Sequence, residues 1–276
     1  MVTTPIITFI ADPNEPDLYN DINGLPNPFT MNVPIGISNT HPSSTLYFKA
    51  SLVSPPSGFS NYVQQLGSVA HGASAIFIFS FQRASPTLTA GEYDESLTFR
   101  VDAYTDSGYS VAYANQTLVV IVHHFDHTDA SWTIIDHASF DDNTCDGYLY
   151  DGNYYPPGDF ALGQAFNPNP VGTFFLSSPG ALSSGIGLGS SSGKAVNTSG
   201  KTKARAVFHF YCQSGCNCGV AINHVVKKNN LIPVPLNQWF RLSFSVPIGA
   251  SIQINIAGAG GNNYLTYADE IWVIAK

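Results

Sequence analysis

Apolar and polar residues alternate with period two along residues 236–276, LNQWFRLSFSVPIGASIQINIAGAGGNNYLTYADEIWVIAK. Trp239, Arg241, Ser243 and Ser245 fall on one side, and Phe240, Leu242, Phe244 and Val246 on the other. Such alternation predicts a strand with one buried face. Pro247-Ile248-Gly249 ends that strand. Ile252, Ile254 and Ile256 then repeat the pattern opposite Ser251, Gln253 and Asn255, and a Gly- and Asn-rich loop over 258–263 leads to a last strand at 267–276. Upstream, strands are predicted at 3–10, 45–51, 75–81, within 88–104 and at 114–123, with a Pro- and Asn-rich loop over 14–28. Strands continue through 161–176. Residues 204–212 and 218–226 flank a Gly-containing turn and predict a hairpin. Helical apolar periodicity never exceeds two turns, so the chain is expected to be all-β.

The stretch 123–129, HHFDHTD, falls between two sets of strands and is read as a polar linker. Its histidines invite a metal reading, but no partner ligands stand out elsewhere, and a hinge is the simpler expectation. The boundary is therefore set at 125/126, giving domains 1–125 and 126–276.

Composition narrows the class. The 276 residues suit one large domain or two sandwich-sized ones. Charged residues make up only 11%, against roughly 25% in an average soluble domain. The formal charge of −8 and the absence of a basic cluster beyond Lys201-Thr202-Lys203-Ala204-Arg205 exclude a nucleic-acid partner. No segment approaches the ~20 apolar residues of a membrane span. The first residues lack the basic and apolar regions of a signal peptide, so either a leader precedes this numbering or the protein is assembled inside a cell, and Met1 favours the second.

Two runs carry a resemblance. WTIIDHASFDDNTCDGY over 132–148 resembles the opening, and 236–276 the closing strands, of galactose-binding-like jelly rolls, the fold of many carbohydrate-binding modules. The segment LSSPGALSSG resembles a sheet-edge strand of the same family. In the first domain, Gly91-Glu92-Tyr93 before an alternating strand resembles the tyrosine-bearing strand of Ig-like surface domains in pilins, adhesins and capsid decorations, whose corner tyrosine bonds back to the chain. The resemblances imply an all-β protein of two β-sandwiches, an Ig-like domain followed by a galactose-binding-like jelly roll. In the related family, acids where the first and last strands meet often hold a structural calcium, which implies Asp136, Asp141 and Asp269 as candidate ligands.

Other chemistry is read from residue types. Cys145, Cys212, Cys216 and Cys218 are even in number in an apparently extracellular chain, which favours disulfides over a zinc site, with the pairing left open. Tyr148, Tyr150, Tyr154 and Tyr155 cluster in one loop and could stack on sugar faces or pack at a subunit interface. Trp132 and Trp239 are expected in the core. There is no Ser-His-Asp signature, no phosphate-binding glycine loop, no HExxH and no recognisable glycosidase pair of carboxylates. The expected function is a non-enzymatic structural protein of a virion surface (spike, turret or decoration) or of an extracellular filament, partnered by copies of itself or by other subunits. The alternative is a glycan-binding adhesion module meeting host-surface glycans. Residues 3–10 are short, apolar and closed by Pro13, so this strand is expected at a sheet edge, either closing its own sandwich or pairing with another chain.

Overall fold

The computed structural model describes residues 5–9, 17–139, 149–150, 161–164, 174–177, 190–212, 217–223, 225–228, 239–259 and 266–276. The chain is all-β and divides into two compact units, one of residues 1–18 and 22–125, the other of residues 19–21 and 126–276. Strands β1 (Ile6–Phe9), β2 (Leu18–Asp21), β3 (Phe29–Ser38), β4 (Leu46–Val53), β5 (Phe59–Ser60), β6 (Gln65–Val69), β7 (Ser74–Arg83), β8 (Glu92–Tyr104) and β9 (Ala112–Phe125) come first. They are followed by β10 (Thr133–Ala138), β11 (Leu149–Tyr150), β12 (Ala161–Gln164), β13 (Phe174–Ser177), β14 (Ser190–Val196), β15 (Ala204–Cys212) and β16 (Asn217–Ile222). The last are β17 (Val225–Lys228), β18 (Trp239–Val246), β19 (Ile252–Ala259) and β20 (Thr266–Ala275).

The first unit is a β-sandwich. One sheet has the order β1-β3-β7-β5, and the facing sheet contains the run β9-β8-β4-β6. The buried phase is strict. Phe29, Met31, Val33, Ile35 and Ile37 on β3 meet Leu46, Phe48, Ala50 and Leu52 on β4 and Leu97, Phe99, Val101 and Ala103 on β8. Thr30 and Asn32 face outward. Each buried Phe, Ile or Leu side chain stabilises by about 1.5–3 kcal/mol. β1 pairs antiparallel with β3 from Ile6 with Ser38 to Phe9 with Ile35, and Ile7 joins the core.

At one end of this sandwich a charged network replaces hydrocarbon. The Arg83 guanidinium donates to Glu95 through Nε at 3.1 Å and Nη2 at 3.0 Å, and His124 Nε2 lies 2.6 Å from Glu95 Oε1. Burial would push the Glu95 carboxyl up, but the hydrogen bonds from His124 and Arg83, with their charges, hold it below its ordinary value.

The second unit is also a sandwich. One sheet runs β12-β13-β20-β15-β18, with β10 pairing β20 as well, and the other runs β11-β14-β19-β16-β17. β10 lies along Ile271–Ala275 and β13 along Tyr267 and Ala268, so the unit's first and last strands are neighbours. Phe208, Phe210, Phe244, Val246, Ile252, Ile254, Ile256, Ile271 and Val273 fill the space between the sheets.

Several expectations are corrected. The stretch 204–226 is not one hairpin: β15 pairs β18 and β20, while β16 pairs β17 and β19 in the opposite sheet. The chain crosses the sandwich there, and the hairpin lies further on, between β16 and β17. Residues 123–129 are not a loose linker. His123 to Phe125 finish β9, and His124 and His127 are buried. The loop assigned to 14–28 contains β2. Leu176 and Ser177, the described part of LSSPGALSSG, belong to β13 between β12 and β20, and the rest of that segment lies outside the described residues. Tyr93 is 38% exposed, with its ring stacked on His124.

Candidate functional site

Tyr148, Tyr154, Tyr155, Asp141, Cys145 and Cys216 lie outside the described residues, as do the side chains of Tyr150, Asp269, Cys212 and Cys218. Asp136 is described. One of its oxygens, Oδ1, takes the Lys194 ammonium at 2.6 Å, and Oδ2 is shielded with no hydrogen-bond partner. Calcium wants six to eight oxygens. Asp141 and the Asp269 side chain, the other two ligands expected for calcium, lie outside the described residues.

The histidines of 123–129 are divided among separate carboxylates. In the first unit, His123 lies between Asp94 Oδ1 at 2.8 Å and Asp17 Oδ2 at 3.2 Å, and His124 belongs to the Glu95 network. In the second unit, His127 Nδ1 lies 2.9 Å from Asp21 Oδ2. Ligand-type atoms of Asp21, Asp126 and His127 come within 4.8 Å of one another. The Arg241 guanidinium donates to the same Asp21 oxygen at 2.5 Å, so a cation already neutralises that carboxylate.

Arg241 lies on the face of the β18-β15-β20 sheet turned away from this sandwich's core, where Trp239 and Arg241 are half-buried and Arg205, Val207 and Tyr211 are buried. On this face the register lines up Trp239, Tyr211 and position 267 in one row, and Arg241, His209 and position 269 in the next. The intervening Phe240, Leu242, Phe208 and Phe210 turn into the core. Trp239 is therefore not a core residue: it is half-buried on the outer face, its ring edge-on to Tyr211 at 5.7 Å. Trp132, by contrast, is buried.

The polar row is pre-arranged. Arg241 Nε donates to His209 Nε2 at 2.8 Å. Arginine can only donate, so Nε2 is the acceptor and the proton of neutral His209 sits on Nδ1. Burial, reinforced by the Arg241 charge and opposed by Asp21, pulls the His209 pKa down to about 4, so the ring stays neutral at physiological pH. His209 Nδ1–H and the Trp239 indole Nε1–H are both shielded, and neither has a hydrogen-bond partner among the described residues. Unpaired buried donors are uncommon, and each asks for an acceptor.

A further constellation adjoins this face. Glu270 has φ 48 and accepts from Trp272 Nε1 at 3.0 Å, with His137 Nε2 at 2.8 Å and the His137 ring stacked on Trp272. Arg241, His209 and Asp21 were not singled out as site residues in the sequence, and His127 was noted only as one of the histidines of 123–129. The available signal was that β18 and β15 both carry aromatic and polar residues on one phase.

No protein-family model matches the sequence, and no curated protein matches it. Solved structures are similar in part. The CBM22-1-GH10 modules of Clostridium thermocellum endo-1,4-beta-D-xylanase 10B, complexed with xylohexaose, align at 14% identity and a TM-score of 0.37 over 52% of this chain and 28% of theirs. This chain thus matches little more than a quarter of that structure. The CBM22-1 xylan-binding domain from Paenibacillus barcinonensis aligns at 11% identity and 0.35 over 52% of this chain and 94% of its own. The K3 cleaved adhesin domain of Lys-gingipain from Porphyromonas gingivalis aligns at 10% identity and 0.34 over 52% and 98%. At these scores the likenesses carry no argument about ligand or activity.

Proposed function

We propose that the chain is a non-catalytic glycan-binding adhesion module of an exposed surface, with the outward face around Trp239 as a binding face. The observation that carries this reading is the half-buried Trp239, backed edge-on by the buried Tyr211, in a row adjacent to Arg241 and His209. Sugars combine an apolar ring face with many hydroxyl oxygens. An amphipathic indole suits the ring face, and Arg241 in the adjacent row, a group that only donates, suits hydroxyl oxygens. Because Asp21 balances Arg241, the row offers hydrogen bonds with little net charge, which favours an uncharged glycan.

Assembly through β1 into a virion or filament has less behind it, because Ile7 belongs to its own core. The test is affinity electrophoresis in soluble xylan, β-glucan and galactan, with polygalacturonate as the acidic control. Retardation by a neutral polysaccharide is expected, and Trp239→Ala should weaken it about tenfold or more, with an unchanged melting temperature. Wild-type protein that ignores every polysaccharide sinks the reading.

A further inference from the structure

The first unit carries an aromatic cluster on its own outer face. β4 and β8 pair Tyr47 with Tyr104 and Lys49 with Asp102. Phe48 and Ala103, which alternate with them, are in the core, so these four side chains face away from it. The turn 105–111 that joins β8 to β9 adds a third phenol. The Tyr109 ring meets Tyr104 edge-on at 5.7 Å and Tyr47 edge-on at 6.3 Å. Lys49 Nζ stands 5.1 Å from the centroids of both the Tyr104 and Tyr109 rings. All three tyrosines are half-buried, so their rings are fixed while part of each stays open to solvent.

The turn is built to hold Tyr109 there. The Asp106 carboxylate accepts from Val111 N at 2.6 Å, Ser110 N at 3.0 Å and Ser110 Oγ at 2.8 Å, and Tyr109 N donates to Asp106 O at 3.1 Å. These bonds, that from Val111 first, keep the Asp106 carboxyl below its ordinary value despite some desolvation. They also close the turn with Tyr109 at φ +55°, a left-handed conformation that is costly for a bulky side chain. Backbone strain of this kind persists where the surroundings impose it and gathers at binding sites. Around the rings stand directional polar groups. Asp102 accepts from Arg100 Nε at 2.9 Å and pairs with Nη2 at 2.8 Å, and Asn115 lies across from Asp102 on β9.

We propose that Tyr47, Tyr104, Tyr109 and Lys49 form a second glycan-binding site, on the first unit. A sugar ring would lie on the exposed parts of the phenols, with its hydroxyls toward Lys49, Asp102 and Asn115. Pre-fixed aromatic rings supply contact area at low entropic cost, and the ammonium already placed over two of them adds a donor without reorganisation. A protein partner is the weaker occupant: it needs about 800 Å² of matched surface per side, whereas here the rings are ringed closely by charged and amide groups. The proposal stands on the first unit's geometry and does not depend on the Trp239 face.

The experiment uses the full chain and two variants in the same polysaccharide gels. Tyr109→Gly removes the ring and suits φ +55°, so its melting temperature should hold or rise. Lys49→Met keeps the aliphatic stem and removes the charge. Two sites on one chain can engage the same polysaccharide together, so loss of either is expected to weaken retardation by a neutral polysaccharide about tenfold, and bound polysaccharide should protect Tyr104 and Tyr109 from nitration. If Trp239→Ala alone abolishes binding and Tyr109→Gly binds as wild type does, the second site is overturned and the Trp239 reading stands. If Tyr109→Gly abolishes binding and Trp239→Ala does nothing, the reverse holds. Protection of the tyrosines by a protein partner, with no polysaccharide effect, also overturns the proposal.

Discussion

At the scale of single residues, Glu95 decides most in the first unit. It is 5% exposed, and its partners Arg83 and His124 are also buried. Glu95→Gln would leave the Arg83 guanidinium buried without its counter-charge, a loss of about 3–5 kcal/mol. Urea unfolding at pH 7 should show a lower midpoint with an unchanged slope. The sign with pH follows from the lowered carboxyl. Its stabilisation is present above the ordinary value of 4.5 and is lost as pH falls through the lower folded-state value. Wild type should therefore lose stability in acid more steeply than Glu95→Gln, and parallel acid limbs would contradict the assignment. This network was legible in part. Arg83 follows Phe79 and Phe81, Glu95 precedes Leu97 and Phe99, and His124 follows Val120 and Val122, each on the buried phase of its strand. A charge on an apolar phase announces a buried partner. Nothing in the local pattern says which one, because pairing is set by sheet topology. The same holds for Arg241 and Asp21, which lie 220 residues apart.

At the scale of elements, period-two alternation carried β4, β7, β8, β18, β19 and β20. It failed for β3, the longest buried stretch of its sheet, because Pro34 interrupts FTMNVPIGIS and a proline argues against an interior strand. The structure places Pro34 inside β3 opposite Ile78 of β7, and Ile35 is the last β3 position paired with β1 among the described residues. Alternation also cannot distinguish a hairpin from a crossing between sheets, since both are two amphipathic strands around a turn; hence the misreading of β15 and β16. For β1 the two roles do differ in outcome. Ile7 is buried and Ile6 is 52% exposed at the sheet edge. Deleting residues 1–12 removes a core side chain, typically worth about 2–5 kcal/mol for an isoleucine. The isolated monomer should lose or markedly lower its first-unit unfolding transition in calorimetry. An unchanged transition would mean that β1 is dispensable to its own sandwich.

At the scale of the whole molecule, two all-β sandwiches in one chain need no helix, and none of the described residues forms one long and apolar enough to cross a membrane. The all-β class was legible because Gly, Pro and aromatic residues are abundant in a lightly charged chain whose apolar residues alternate with period two. The binding faces were not, because they arise from register: Trp239 meets Tyr211, and Tyr47 meets Tyr104, only once the strands are paired. Register also sets how the second unit would answer a mechanical load. β10 and β20 run antiparallel, with Thr133 opposite Ala275 and Ala138 opposite Ile271. A pull applied at Thr133 and Lys276 therefore grips both strands at the same end of their ladder, and the bonds give way one after another instead of sharing the load. In an optical trap the second unit should open at low force through these points. Handles placed at Thr133 and Ile271 would shear the same ladder and should need a clearly higher force.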